Sequence, residues 1–212
     1  MNDVLTQIEQ FGVVPVVAID AADHALGLGR ALIDGGLPCA EITFRTAAAA
    51  DAIRAMSSNY PEMLVGAGTV LTVAQAQKAA DAGARFVVTP GFDAAVVDWC
   101  IERDMPVTPG VMTPTEINMA LNKGLTELKF FPAEAAGGVK TLKAISGPYG
   151  GVRFIPTGGI NAANLTDYLR LPVVIACGGS WLVKKQLIAD GEFDRIAELT
   201  AEAIEIVKTA RQ

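Results

Sequence analysis

Residues 63–89 read MLVGAGTVLTVAQAQKAADAGARFVVT. The stretch opens on an apolar run, MLVGA, and continues to Thr72 with Gln75 three positions on, the spacing of a capping box. An alanine-rich helical segment follows and closes at Gly83, where a left-handed C-terminal cap is expected. A second run, RFVVT at 85–89, is again apolar and β-branched. This reads as strand, helix, strand. A connection of that length returns the second strand parallel to the first.

The same unit repeats outward in both directions. Further strand-like runs lie at 13–19 (VVPVVAI), 39–44 (CAEITF), 106–108 (PVT), 126–131 (TELKFF), 152–156 (VRFIP) and 173–177 (VVIAC). Thr113, Pro114 and Glu116 form a second capping box with proline at the first helical position, and Asn161 is a third expected N-cap. Gly35 and Gly124 mark helix ends. Eight strands alternating with helices predict an α/β protein, a single-domain (β/α)8 TIM barrel over residues 1–212. The length is short for that fold, so the loops must be compact. A doubly wound open sheet is the second choice, but no G-x-G-x-x-G follows the first strand.

Composition narrows the function. The chain is 51% hydrophobic and 19% charged, with no apolar run approaching the length of a membrane span. The start, MNDVLTQIEQFG, lacks the basic and apolar regions of a secretory signal, so a cytoplasmic protein is expected. A net charge of -6 without a basic stripe argues against nucleic acid. Cys39, Cys100 and Cys177 are widely spaced and odd in number, and are expected as free buried thiols. His24 is the single histidine, which leaves little material for a histidine-based metal site or catalytic triad.

In a barrel of this type the active site lies at the carboxyl ends of the strands. Glycine gathers there, in GAGT (66–69), TPG (89–91 and 108–110 both begin Thr-Pro-Gly), PTGG (156–159) and CGGS (177–180). The loops after strands seven and eight often bind phosphate through backbone N–H groups, so Gly158, Gly159, Gly179 and Ser180 are the expected phosphate site. The period of two in EITFR sends Ile42 and Phe44 toward the helices and Glu41, Thr43 and Arg45 inward. In ELKFF it sends Leu128 and Phe130 outward and Glu127, Lys129 and Phe131 inward. An inward lysine either serves a structural ion pair or acts as a nucleophile, and only a neutral amine attacks a carbonyl. A carboxylate beside it, such as Glu41, supplies the proton shuttle that carbinolamine chemistry needs.

EITFRT (41–46), VGAGTV (65–70), LKFFPAE (128–134), GGVK (137–140), VRFIPTGGI (152–160) and CGGSWLV (177–183) together resemble the bacterial 2-keto-3-deoxy-6-phosphogluconate (KDPG) and 4-hydroxy-2-oxoglutarate (KHG) aldolases of the Entner–Doudoroff pathway. The resemblance runs in order along nearly the entire chain. It implies a class I aldolase on a (β/α)8 barrel, independent of metal and cofactor, assembled as a homotrimer and acting on a phosphorylated keto acid. It further implies that Lys129 forms the imine and Glu41 is the general acid and base. Arg45 and Thr69 would clamp the pyruvyl carboxylate, Pro90, Thr157 and Phe131 would line the pocket, and Gly158, Gly159 and Ser180 would hold phosphate. The first strand ends in AID (18–20) without the basic residue of many relatives, and Ala136 replaces an expected polar residue, both of which bear on the sugar end.

Two other readings use the same residues. An isomerase or epimerase would share the glycine doublets but need a proton-transfer pair and no imine lysine. A silent barrel would bind sugar phosphate without turnover, and the inward Glu41, Thr43, Arg45 and Lys129 argue against it.

Overall fold

The structure, a computed structural model, describes residues 3–212. Nine strands run in chain order: β1 (Val13–Val17), β2 (Cys39–Thr43), β3 (Leu64–Gly68), β4 (Val87–Val88), β5 (Val107–Thr108), β6 (Gly110–Val111), β7 (Glu127–Phe130), β8 (Arg153–Pro156) and β9 (Cys177–Gly179). The helices are α1 (Asp3–Phe11), α2 (Ala25–Asp34), α3 (Ala49–Asn59), α4 (Val73–Asp81), α5 (Ala94–Ile101), α6 (Pro114–Leu121), α7 (Gly138–Ser146), α8 (Leu165–Leu169), α9 (Lys185–Ala189) and α10 (Phe193–Ala210). A 3-10 turn at Ala22–His24 precedes α2.

Every strand pair is parallel. Six strands follow the order β5-β4-β3-β2-β1-β9 and three the order β6-β7-β8. Between β5 and β6 stands Pro109 alone, and its carbonyl accepts the Lys129 N–H at 3.0 Å. On the other side single bridges join Phe154 to Val174 and Thr157 to Gly178. The result is a curled parallel sheet in two segments, wrapped by helices.

The alternation read from the sequence sets the core. Leu128, Phe130 and Ile42 are fully buried on the helix-facing side. Glu41, Thr43 and Lys129 are also buried, on the inner side. Glu127, at the amino end of β7, pairs with Arg153 at 2.9 Å, and Arg153 reaches Glu9 of α1 at 3.2 Å. That network ties α1 to the amino ends of β7 and β8.

The structure corrects several expectations. The last run forms a strand at Cys177–Gly179 and not at 173–177. Pro172 lies at the turn before it, and Val174 N–H closes that turn onto Leu171 at 2.9 Å, so the strand begins only where Cys177 N–H meets Gly12 O at 3.0 Å. Gly110, expected at the carboxyl end of the strand read at 106–108, opens the short strand β6. Gly83 and Gly124 take the left-handed conformation, but beside α2 it is Gly36 that does so and Gly35 remains right-handed. Asn161 accepts from Ala163 N–H in a preceding turn, while Asn164 occupies the N-cap of α8. Cys39, Cys100 and Cys177 are free and buried, as expected.

Candidate active site

A cavity of about 230 Å³ opens at the carboxyl ends of the strands. Residues from β1, β7 and β9 and from the loops after β2, β3, β4, β7, β8 and β9 converge on it. Of the residues singled out in the sequence, Arg45, Thr69, Pro90, Lys129, Phe131, Thr157, Gly158, Gly159 and Ser180 line its wall. Glu41 lies deeper, in a space of about 10 Å³ below that Lys129 also borders. Lys129 therefore forms the floor of the open cavity and the roof of the inner one.

The lysine and the glutamate face each other. Lys129 Nζ lies 3.7 Å from Glu41 Oε1, with both side chains about 5% exposed or less. That separation is an ion-pair contact and too long for a hydrogen bond. Glu41 Oε1 is buried and has no hydrogen-bond partner among the described residues. A buried carboxylate oxygen without a hydrogen-bond partner is costly to folding. Phe131 completes the arrangement, its ring centroid 5.0 Å from the ammonium.

Gly68 explains how the carboxylate fits. A Cβ at that position would stand 2.0 Å from Glu41 Oε1. Only glycine at the end of β3 leaves room for the acid on β2. The next residue, Thr69, holds φ of 53°, a left-handed conformation that strains any residue with a Cβ.

Thr43 fixes the guanidinium. Its Oγ1 donates to Val17 O at 2.6 Å and accepts from Arg45 Nε at 3.0 Å. With Nε committed, the two terminal nitrogens of Arg45, a residue of the cavity wall, remain for a ligand, and a planar guanidinium suits a carboxylate. On the opposite wall Gly158 and Gly159 hold φ of 103° and 79°. The Gly159 and Ser180 N–H groups have no acceptor among the described residues, which leaves both free to donate.

Sequence reasoning missed Val16, Ile160 and Gly178 as lining residues. Strand parity in β1 could have found Val16. Gly178 replaces Gly179 at the wall; Gly179 lies against Trp181, whose ring a Cβ there would meet at 1.7 Å. Among the described residues no group of three His, Cys, Asp or Glu side chains could hold a metal ion. No helix among them is long and apolar enough to cross a membrane.

The family model for KDPG and KHG aldolase matches residues 4–199. The chain belongs to that family. Its relatives include a 2-dehydro-3-deoxy-phosphogluconate aldolase of Haemophilus influenzae, 48% identical over 207 residues and covering 98% of each chain. The KHG/KDPG aldolase of Escherichia coli K12 is 46% identical over 196 residues, 92% of each chain. A solved KDPG aldolase of Legionella pneumophila, with pyruvate captured at low pH as a covalent carbinolamine intermediate, superposes with a TM-score of 0.91. It is 39% identical and the match covers 94% of this chain and 97% of that one. Aldolases are carbon–carbon lyases; among the described residues of this aldolase one lysine, Lys129, is buried.

Proposed function

We propose that this aldolase cleaves 2-dehydro-3-deoxy-6-phosphogluconate to pyruvate and glyceraldehyde 3-phosphate by class I chemistry, and that it also cleaves 4-hydroxy-2-oxoglutarate to pyruvate and glyoxylate. The observation that carries this reading is Lys129 Nζ, buried on the cavity floor 3.7 Å from the unpartnered Glu41 Oε1. An isomerase would need no such lysine.

The substrate's carboxylate docks on Arg45 and Thr69, which sets C2 over Lys129. Lys129 passes a proton to Glu41 and the neutral Nζ attacks the C2 carbonyl carbon; the C2 oxygen takes one proton from the new C–N nitrogen and one from Glu41 and leaves as water, so that a protonated imine stands beside an ionised Glu41. The protonated imine withdraws electrons from C3. Glu41 removes the proton of the C4 hydroxyl, the C3–C4 bond breaks, and its electron pair moves into the enamine. Glyceraldehyde 3-phosphate leaves, its phosphate released from the Gly158, Gly159 and Ser180 donors. Protonation at C3 and hydrolysis of the imine return pyruvate and free Lys129. Pro90, Phe131 and Thr157 line the path and limit water.

The finer architecture belongs to the same reading. The two sheet segments, joined by the Phe154–Val174 and Thr157–Gly178 bridges, are the wall of one closed (β/α)8 barrel. The working unit is a homotrimer in the cytoplasm, serving the Entner–Doudoroff pathway without a cofactor.

Pyruvate release from 2-dehydro-3-deoxy-6-phosphogluconate, coupled to lactate dehydrogenase, tests the assignment. Wild-type enzyme should release one pyruvate per glyceraldehyde 3-phosphate, and Lys129→Ala should lose at least about 10³-fold in kcat. Substantial turnover by a folded Lys129→Ala variant would remove the lysine from the mechanism.

A further inference from the structure

Tyr168 of α8 is a fully buried phenol that the reaction does not use. Its hydroxyl donates to Glu134 Oε1, a residue of the loop after β7. Burial and the neighbouring carboxylate both push the Tyr168 hydroxyl up, so it stays a donor. The Glu134 backbone N–H donates to Gly158 O at 3.0 Å, and Ala133 N–H donates to Thr157 O at 2.8 Å. The stem of Glu134 lies under the next glycine: a Cβ on Gly159 would meet the Glu134 Cβ at 2.6 Å. Gly138 leaves space on the far side, where its own Cβ would stand 3.0 Å from Glu134 Oε1 and 3.3 Å from the Tyr168 hydroxyl.

One carboxylate is thus built against the turn that is to receive an anion. Free to swing, it would repel that anion and compete for the same N–H donors. Held by a buried phenol, it is turned away, while its backbone pins the turn.

We propose that Tyr168 and Glu134 form a strut that positions the Gly158–Gly159 turn for a phosphate, and so sets the preference for phosphorylated over unphosphorylated keto acids. Both are positioning residues, and the proposal rests on the reading of that turn as a phosphate site. Neither residue lines the cavity where the imine forms. The strut should therefore act on affinity at one end of the substrate and leave bond cleavage alone.

Steady-state kinetics with two substrates tests it: 2-dehydro-3-deoxy-6-phosphogluconate, and 4-hydroxy-2-oxoglutarate, which has no phosphate. Tyr168→Phe and Glu134→Ala should each raise KM for the phosphorylated substrate about tenfold, with kcat within about twofold and the KM for 4-hydroxy-2-oxoglutarate unchanged. Glu134→Gln keeps an acceptor for the phenol and should restore the low KM. Glu134 is exposed, so its variants should fold even if Tyr168→Phe does not. An equal loss on both substrates, an unchanged KM, or Glu134→Gln behaving like Glu134→Ala would overturn the strut. A wild-type enzyme with no preference for the phosphorylated substrate would refute the phosphate turn itself. An intact wild-type preference that survives in Glu134→Ala would refute the strut alone.

Discussion

At the scale of single residues the site holds a buried carboxylate with no hydrogen-bond partner on one oxygen, packed against a glycine. Gly68 supplies the room that exists. Gly68→Ala would put a methyl group 2.0 Å from Glu41 Oε1, so the acid must shift by an ångström or more. Activity should fall about 10²-fold, with a stability loss of about 1–3 kcal/mol, readable from kcat and from urea denaturation. In the proposed mechanism Glu41→Gln keeps the shape and removes the proton transfer, and kcat should fall about 10²–10⁴-fold. The positions of Glu41, Thr43 and Lys129 were legible because side chains alternate along a strand, and an aliphatic or aromatic neighbour fixes which face is inner. The strand itself ends at Thr43, yet Arg45 lines the cavity, as the same alternation predicts. What parity could not supply was contact: the Gly68 gap depends on which strands are neighbours, and the Tyr168–Glu134 pair joins residues 34 positions apart.

At the scale of elements, caps were readable in proportion to how local they are. Thr113 accepts from Glu116 N–H while Glu116 accepts from Thr113 N–H, a full capping box on α6 with Pro114 at its start. Thr113→Ala should cost about 1 kcal/mol and lower Tm by about 2–4 °C, with kcat unchanged. A calorimetric scan beside an activity assay separates the two. In α4 the sequence has the same spacing, but Gln75 Oε1 reaches Leu71 N–H at 2.7 Å, so half of the expected box is displaced by one residue. The strands β4, β5, β6 and β9 are only two or three residues long. Runs of apolar residues there overestimate strand length, because a curled sheet keeps hydrogen bonds at short segments and lets the chain turn between them.

At the scale of the whole molecule the chain buries three thiols in one core. Burial pushes the Cys100 thiol from 9.0 up to about 11, and raises Cys39 and Cys177 as well. The folded state therefore keeps these protons after the unfolded chain has lost them. The Cys100 contribution is fully present below about pH 9 and is lost as pH rises from about 9 toward 11, while those of Cys39 and Cys177, raised further, go on falling above that range. Thermal denaturation across that range should show Tm falling with pH, and Cys100→Ala should flatten the decline. The parallel α/β plan was legible in the alternation of strands and helices. The split of the sheet into two segments was not, because Pro109 and the turn before Cys177 interrupt hydrogen bonding without interrupting the apolar pattern. One covalent event in the intact enzyme decides the proposed mechanism, and borohydride reduction in the presence of pyruvate, followed by intact and peptide mass measurement, reads it out. One reduced pyruvyl adduct per chain, on the peptide carrying Lys129, is the predicted result; no adduct, or an adduct on another lysine, would contradict it.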